Sequence, residues 1–270
     1  MPDHPFPLER TTLGSCTLVG AGPGDPELLT LKALRAIEAA TVLLVDDLVS
    51  EDIVALAAPD ARVIRVGKRG GCRSTPQAFI ERLMVAEVRA GEAVVRLKGG
   101  DPFIFGRGGE EVEALRAAGI EPAVVNGITA GLAAPTALGV PLTHRAHAQG
   151  VLLVTGHAQP GGQGIDWALL AATARQAHLT LVIYMGMRSA RQIQDGLLAG
   201  GLAAGTPVAV VQHATLAHQR HVATTLDALH ATIEREGLAS PSVIVVGDVV
   251  RGLQSLAPAS PTMQRTGSDR

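Results

Sequence analysis

The residues best suited to chemistry stand in glycine-rich segments that follow apolar runs. The first segment, residues 20–26, reads GAGPGDP. A glycine-lined turn between a strand and a helix is where open α/β sheets bind ligands. The segment is not a dinucleotide fingerprint, since Pro23 and Pro26 have no backbone N–H to donate to a pyrophosphate. The pattern therefore favours a small-molecule site, although a tight structural turn would also use these glycines.

The second segment, residues 96–111, reads RLKGGDPFIFGRGGEE. Its glycine pair would let a ligand lie against bare backbone, and Asp101 can accept hydrogen bonds from a ribose or an amine. Glu110 and Glu111 stand at a predicted helix start, where carboxylates suit the helix dipole. Capping is therefore the simpler interpretation for at least one of the two glutamates.

Shorter polar segments follow other apolar runs. They are residues 45–50 (VDDLVS), 66–70 (VGKRG), 126–130 (NGITA), 141–145 (PLTHR) and 184–186 (YMG). Because the ends of parallel strands meet at one edge of a sheet, several of these segments can contribute to one site. Arg69 and Arg73, taken singly, would be ordinary solvated residues on a surface loop.

The sequence gives little support for a metal site or for a catalytic thiol. Two cysteines, Cys16 and Cys72, are too few for a disulfide scaffold or a zinc ribbon, and the histidines show no metal-ligand spacing. We therefore expect no metal. Cys16 begins an apolar strand and is predicted to be inert packing, and no base is visible to activate Cys72.

The amino-acid composition excludes several classes of protein. Six of the 270 residues are aromatic (four Phe, one Tyr and one Trp), so the core must be aliphatic. The 23 basic and 25 acidic residues leave a net charge of −2, which argues against a nucleic-acid-binding protein. No apolar run is long enough to cross a membrane, and the first residues do not resemble a signal peptide. We expect a cytoplasmic protein.

Short β-branched runs alternate with segments rich in Ala and Leu, and this alternation predicts an α/β fold. Strands are predicted at residues 16–19, 42–45, 62–66, 93–97, 123–125, 151–155, 180–184, 208–212, 220–224 and 243–246. Helices are predicted at residues 26–39, 51–57, 76–90, 108–118, 129–138, 190–198 and 226–236. The alternation of strands and helices occurs twice along the chain, so we expect two α/β/α domains with mostly parallel sheets. Their predicted ranges are 14–127 and 128–257, with disordered segments at 1–13 and 258–270.

Five blocks carry a family resemblance: VGAGPGDPELLT, VGKR, RLKGGDPFIFGRGGEE, GITA and LTHR. In this order they resemble the S-adenosylmethionine-dependent tetrapyrrole methylases, and within that family the uroporphyrinogen-III C-methyltransferases. The resemblance covers residues 18–247. It implies two α/β domains with a cofactor cleft between them, a homodimer, and S-adenosylmethionine as the cofactor, with S-adenosylhomocysteine as its product.

Carried over position by position, the resemblance implies nine cofactor contacts. They are Pro23, Gly99, Gly100, Asp101, Ile104, Thr129, Ala130, Met185 and Ala214. The last position is usually glycine in the family, so a contact there would depend on the backbone. The resemblance also implies Asp46 as the proton acceptor and Lys68 as the proton donor.

The implied reaction is the double methylation of uroporphyrinogen III to precorrin-2, by way of precorrin-1, for cobalamin, siroheme or heme d1 synthesis. The methyl group leaves a positively charged sulfur, so the enzyme mainly aligns it with an electron-rich carbon and removes a proton. Binding the carboxylates of the macrocycle requires cationic side chains held in fixed positions. We expect a cationic rim formed by Lys68, Arg69, Arg73, Lys98, Arg107 and Arg145. Arg107 is the first candidate for a catalytic role, and Arg69, Arg107, Glu110 and Arg145 for substrate binding.

Other functions remain open at this point. A methylase of the same superfamily could act on a later corrin precursor or on RNA, but the GRGGEE and LTHR blocks count against it. A non-catalytic, ligand-sensing α/β protein is a second alternative. The presence of Asp46, Lys68 and Asp101 argues against loss of the catalytic site.

Overall fold

The computed structural model describes residues 13–67, 75–157 and 164–254. Within them the chain forms two units. The first consists of the residues up to Ala134 together with His213–Gln219, and the second of Pro135–Gln212 together with the residues from Arg220 onward. The chain therefore enters the first unit twice.

The first unit is built on five strands. They are β1 Ser15–Gly20, β2 Val42–Val45, β3 Arg62–Arg65, β4 Ala93–Lys98 and β5 Ala123–Val125. The helices that follow them are α1 Leu31–Glu38, α2 Glu51–Val54, α3 Gln77–Arg89, α4 Gly108–Ala117 and α5 Ala130–Thr136. Helix α5 begins in the first unit and ends in the second.

The five strands form one sheet in the order β3-β2-β4-β1-β5, and every pair is parallel. Strand β4 lies in the middle, where Arg96 is in register with Leu44 of β2 and with Leu18 of β1. Parallel strands need crossover connections, so helices cover both faces of the sheet. The predicted mostly parallel sheet is confirmed for this unit.

The two faces of the sheet bury separate aliphatic clusters. On one face, Val95 and Leu97 pack with residues of α1 and α2 such as Ile37 and Ile53. On the other face, Val94 packs in a cluster with residues of α3 and α4. Since side chains alternate along a strand, Arg96 shares the face of Val94, and that face is covered by α3 and α4.

The second unit carries a mixed sheet. Its strands are β6 Gly150–Thr155, β7 Leu179–Tyr184, β8 Pro207–Gln212, β9 Arg220–Thr225 and β10 Ser242–Val246. Its helices are α6 Trp167–Gln176, α7 Ala190–Ala199, α8 Leu229–Glu236 and α9 Arg251–Gln254. The strand order is β6-β7-β10-β8-β9. One aliphatic cluster, which includes Leu181, Val210 and Ile244, packs this sheet against Trp167 and Ile193.

The expected mostly parallel sheet is wrong for this second unit. Only β6 and β7 pair in parallel, whereas β10 is antiparallel to both β7 and β8, and β9 is antiparallel to β8. The physical reason is the length of the β8–β9 connection. His213–Gln219 is too short for a crossover, which takes a dozen or more residues. The absence of a helix between two consecutive predicted strands was the signal for this reversal.

All ten predicted strands are present, with ends that differ by at most one residue. The helix predicted at residues 26–39 is divided into a 3₁₀ turn, Pro26–Leu28, and α1, because the Thr30 side chain accepts a hydrogen bond from Ala33 N–H and begins a new helix there. Helix α6 was not predicted. Its signal was Asp166, whose side chain caps the helix by accepting a hydrogen bond from Leu169 N–H.

The predicted domain boundary at residues 127/128 and the predicted cofactor cleft between the domains remain predictions. Of the two segments predicted to be disordered, 1–13 and 258–270, all but Leu13 lies outside the described residues. Among the helices of the described part, none is long and apolar enough to span a membrane.

Close packing of α6 against α7 gives a stability prediction. A Cβ atom added at Gly196 of α7 would lie 2.5 Å from Cβ of Trp167 in α6. We expect Gly196→Ala to lower the stability by about 1–3 kcal/mol, because overpacking forces the two helices apart. Gly109→Ala in α4 is the matched control, since no atom lies within 4 Å of the added methyl group. Urea unfolding midpoints measure both, and equal or reversed shifts would contradict the predicted helix contact.

Candidate active site

Three loops of the first unit meet at the carboxyl ends of β1, β4 and β5. Gly22 and Gly100 form a two-way backbone bridge, in which Gly22 N–H donates to Gly100 O (3.1 Å) and Gly100 N–H donates to Gly22 O (2.7 Å). Ala21 N–H donates to Lys98 O at 2.7 Å. The loops that follow β1 and β4 are thus held together by main-chain hydrogen bonds, which do not depend on their side chains.

The same loops require glycine because their backbones touch. A Cβ atom on Gly127, after β5, would lie 2.2 Å from Gly100 O, and a Cβ atom on Gly20 would lie 2.4 Å from Gly127 N. Neither distance can be accommodated without moving main chain. Gly20 of the first segment and Gly127 of the NGITA segment therefore have a structural function in addition to any contact with a ligand.

Asp101 joins the loops through its side chain. Its Oδ1 accepts a hydrogen bond from Phe103 N–H (2.8 Å), and its Oδ2 accepts from Gly127 N–H (3.2 Å) and from the amide of Asn126 (3.3 Å). The carboxylate is buried. Both oxygens thus fix the chain itself, and the predicted contact of Asp101 with a ribose or amine stays a prediction.

The loop between β4 and α4 presents apolar side chains outward from a strained backbone. Phe103, Ile104 and Phe105 are all at least one-third exposed. Phe105 and Arg107 adopt left-handed backbone conformations, with φ of 54° and 59°. Such conformations are uncommon for residues with a side chain and often accompany function.

His213–Gln219 adds a fourth element to the first unit. Thr215 Oγ1 accepts a hydrogen bond from Asp25 N–H (3.2 Å), and Leu216 packs so closely on Gly24 that a Cβ there would lie 2.6 Å from it. Ala214 is buried, and its backbone, unlike that of His213 and Thr215, is not left-handed. Its conformation therefore does not require the glycine that is usual in the family.

Eight of the nine predicted cofactor residues belong to the first unit. Pro23 follows β1; Gly99, Gly100, Asp101 and Ile104 follow β4; Thr129 and Ala130 follow β5; and Ala214 lies in His213–Gln219. The ninth, Met185, follows β7 in the second unit, where it is exposed and has a φ of 54°. The structure therefore gathers four separate parts of the sequence, and the cofactor role of each residue remains a prediction.

A buried ionic cluster lies behind these loops. Glu111 of α4 has no exposed surface, and its Oε1 accepts hydrogen bonds from Nε of Arg96 (3.0 Å) and from Nζ of Lys98 (3.1 Å). The same Nζ lies 3.0 Å from Oε2, which has no hydrogen-bond donor in good geometry. The amide of Gln77 in α3 also donates to Oε1, at 3.3 Å. These cationic and polar groups compensate a charge that water does not reach.

Arg96 extends this cluster to Asp46, the predicted proton acceptor. Its Nη1 donates to the carbonyl oxygens of Leu44 (3.2 Å) and Leu97 (3.3 Å), and its Nη2 lies 3.5 Å from Asp46 Oδ2. Asp46 Oδ1 accepts from Asp47 N–H at 3.0 Å. The Asp46 side chain keeps 38% of its surface exposed, so it is held on one side and open on the other.

Burial governs the titration of this cluster. The pKa of Lys98 is lowered, first by burial and then by the charge of Arg96, while Glu111 and Asp46 act in the opposite direction. The pKa of Cys16 is raised to about 12, first by burial and then by the charge of Glu111. Its thiol therefore stays protonated, and the prediction of an inert packing residue is confirmed by its burial.

One sequence prediction needs correction because the group is buried. Lys98 cannot belong to an exposed cationic rim, since its ammonium group is enclosed with Glu111. Glu111 lies in the first turn of α4, as predicted, but its carboxylate is buried. Its neighbour Glu110 is exposed and pairs with Arg107, whose Nε donates to Glu110 Oε1 at 3.0 Å. This hydrogen bond raises the pKa of Arg107 and lowers that of Glu110.

The remaining predicted site residues are less defined by the structure. Lys68 and Arg69, like Arg73, lie outside the described residues. Arg145 is exposed on a short loop of the second unit, which is closed by hydrogen bonds in both directions between the backbones of His144 and Ala148 (2.9 Å each). In the described ranges, no group of three His, Cys, Asp or Glu side chains could hold a metal ion.

Sequence reasoning missed Arg96 as a functional candidate. The signal was present, because Arg96 and Lys98 stand two residues apart in an otherwise apolar strand and therefore point to the same face. What the sequence did not indicate is the partner, which is fifteen residues away from Arg96 on the next helix.

Comparisons with known proteins find similar proteins over most of the length of this chain. The family model of the tetrapyrrole (corrin/porphyrin) methylases matches residues 15–230. A uroporphyrinogen-III C-methyltransferase of Pseudomonas aeruginosa is 54% identical, over 90% of this chain and 96% of that protein. Siroheme synthase 2 of Aeromonas hydrophila is 49% identical over 92% of this chain, but the chain spans only 52% of its length.

Solved structures show the same architecture. A uroporphyrin-III C-methyltransferase of Thermus thermophilus, crystallised with S-adenosylhomocysteine, is 41% identical, covers 88% of this chain and all of its own, and gives a TM-score of 0.74. A cobalt precorrin-4 methyltransferase is 28% identical over 91% of this chain and 99% of its own, with a TM-score of 0.78. The backbone is thus at least as close to the second enzyme, whereas the sequence is closer to the first.

The contrast between Glu110 and Glu111 is testable. We expect Glu111→Gln to lower the free energy of unfolding by about 3–5 kcal/mol, because it leaves Arg96 and Lys98 buried without an anion. Glu110→Gln should cost less than about 1 kcal/mol, since its ion pair is exposed. Chemical denaturation of both variants measures the difference, and similar losses would contradict the assigned environments.

Proposed function

Because the chain belongs to the tetrapyrrole (corrin/porphyrin) methylases, we propose that it methylates uroporphyrinogen III with S-adenosylmethionine as the methyl donor. Two transfers to carbon give precorrin-2 by way of precorrin-1, and each releases S-adenosylhomocysteine. The observation that carries the proposal is the high identity with a uroporphyrinogen-III C-methyltransferase over nearly the full length of both chains.

The loops of the first unit suit a nucleoside cofactor. Gly100 is half-buried and has no side chain, so a ligand can approach its backbone closely. Ile104 lies in the same loop with an exposed apolar side chain. We assign cofactor binding to Pro23, Gly99, Gly100, Asp101, Ile104, Thr129, Ala130, Met185 and Ala214. When bound, S-adenosylmethionine supplies a methyl group already activated by its positively charged sulfur.

The chain itself must orient the substrate and accept the proton that the macrocycle loses after methylation. We assign proton acceptance to Asp46, whose carboxylate is partly exposed and held by Asp47 N–H and Arg96 on its inner side. A base fixed in this way loses little orientational freedom when the proton is transferred. Lys68, as the proton donor, follows from the family resemblance.

Substrate carboxylates call for exposed cations. Arg107 and Arg145 are exposed, and arginine binds carboxylates in a bidentate geometry. Glu110 holds Arg107 in one orientation, so a substrate carboxylate would share or displace that ion pair. We assign substrate binding to Arg69, Arg107, Glu110 and Arg145, and a further catalytic role to Arg107.

Methylation of a later corrin precursor is the second candidate function. It is supported by the backbone similarity to the cobalt precorrin-4 methyltransferase. Sequence identity favours uroporphyrinogen III, because residues at the site, and not the fold, determine the substrate. A direct comparison of both tetrapyrroles as methyl acceptors decides between them.

The proposed assembly rests on the family resemblance, and the proposed compartment rests on the composition of the sequence. We propose a homodimer in the cytoplasm that takes a small-molecule tetrapyrrole and no nucleic acid or membrane partner. The net charge of −2 supports the exclusion of nucleic acid. The similarity to siroheme synthases supports a product that enters siroheme- or cobalamin-type synthesis.

The proposed activity is tested with purified protein, uroporphyrinogen III and labelled S-adenosylmethionine. We expect mass spectrometry to find two added methyl groups. Asp46→Asn should slow turnover by about 10²–10⁴-fold, the usual contribution of a general base, and leave cofactor affinity unchanged in calorimetry. Asp52→Asn, on the exposed first turn of α2, is the control that keeps full turnover. Wild-type protein that binds the cofactor but leaves uroporphyrinogen III unmethylated would refute the proposal.

The cationic rim has its own test. Arg107→Ala and Arg145→Ala should each raise the KM for uroporphyrinogen III by about tenfold or more, since a charge-assisted hydrogen bond contributes roughly 1.5–3 kcal/mol. Cofactor affinity should not change. Arg116→Ala, which removes an exposed arginine from α4, serves as the control. Wild-type turnover and KM in both variants would remove these arginines from the substrate site.

A further inference from the structure

Arg96 joins the buried interior to the predicted base. It contacts Glu111 with Nε, two carbonyl oxygens with Nη1 and Asp46 with Nη2. Its side chain is almost fully buried in the central strand of the sheet, although neither the cofactor nor the substrate assignment includes it. Burying a charged side chain is costly. Arg96 therefore serves either to pack the interior or to position the groups that it contacts.

The geometry of this arginine is specific. A guanidinium group is a rigid plane with donors pointing in several fixed directions, so it can serve Glu111, Leu44 O and Asp46 together. A lysine has a single nitrogen and could keep the charge beside Glu111, but it could not also reach the other acceptors. The contact with Asp46 is therefore the one that a conservative substitution removes most selectively.

The surroundings of Asp46 leave Arg96 as its inner contact. Its backbone N–H donates to Leu97 O (3.1 Å), and its Oδ1 is occupied by Asp47 N–H. Lys98 lies close enough for Asp46 to influence its charge, but its ammonium group bonds to Glu111. The outer side of the carboxylate is open.

We propose that Arg96 is a positioning residue, which fixes the inner oxygen of Asp46 so that the open side of the carboxylate faces the substrate. Glu111 in turn fixes Arg96. Because Glu111 lies in the first turn of α4 and Arg96 precedes the loop at residues 99–107, the same cluster sets the ends of the proposed cofactor loop and the orientation of the base. This inference rests on the proposed function, since it assigns Arg96 a part in that reaction.

The experiment compares Arg96→Lys, Asp46→Asn and the double variant in the methylation of uroporphyrinogen III. We expect Arg96→Lys to lower kcat about tenfold to hundredfold, as misplaced catalytic groups do, with both KM values within about twofold of wild type. In the Asp46→Asn background, Arg96→Lys should cause no further loss. Arg116→Lys, in an exposed ion pair on α4, is the matched control and should leave kcat unchanged.

A purely structural role gives a different result. The loss of kcat in the double variant would then equal the product of the losses in the two single variants, or Arg96→Lys would raise KM instead of lowering kcat. Either outcome overturns the proposal. If Arg96→Lys does not fold, Arg96→Gln replaces it, since Lys98 still pairs with Glu111 in that variant. A kcat equal to that of wild type in this variant would equally overturn the proposal.

A crystal structure of Arg96→Lys separates this inference from the proposed function. Wild-type protein that does not methylate uroporphyrinogen III refutes the function alone. The positioning role is judged by the Asp46 side chain, which we expect to change rotamer or lose order in the variant. An Asp46 side chain that keeps the wild-type orientation would overturn the inference, whatever the activity.

Discussion

Glu111 carries a carboxylate where no water reaches it, and the candidate site depends on how that charge is compensated. Isolated, it would be too costly to keep, so Arg96 and Lys98 must both remain against it. These two cations precede the glycine-rich loop, and Glu111 follows it on α4. One buried ion cluster therefore fixes both ends of the loop, and through Arg96 it also reaches Asp46.

Around that cluster, the parallel sheet determines where the loops meet. Strands β4, β1 and β5 are adjacent and run in the same direction, so the loops that leave them emerge side by side. Their backbones then approach so closely that Gly20 and Gly127 have no room for a side chain. The mixed sheet of the second unit arises from a different constraint, the short connection between β8 and β9. That same connection, His213–Gln219, returns to the first unit and contributes Ala214.

Fold and function are only loosely coupled in this molecule. The backbone resembles a cobalt precorrin-4 methyltransferase at least as closely as a uroporphyrin-III C-methyltransferase. The assignment of a substrate therefore rests on sequence identity and on particular residues, such as the exposed Arg107 and Arg145. The buried cluster, by contrast, concerns the placement of the proposed base, Asp46, and of the proposed cofactor loop.

The sequence by itself determined the ten strands, the parallel first sheet and the motif segments, because these depend on local patterns of apolar residues, glycine and proline. It also identified the family, whose blocks are contiguous. It did not predict the antiparallel pairs of the second unit, α6, or the burial of Lys98 and Glu111. Those features were decided by the tertiary structure, since pairing order and burial depend on contacts between residues far apart in the chain. Lys98 and Arg107 are alike as charged residues in one sequence block, yet one is enclosed with an anion and the other faces solvent.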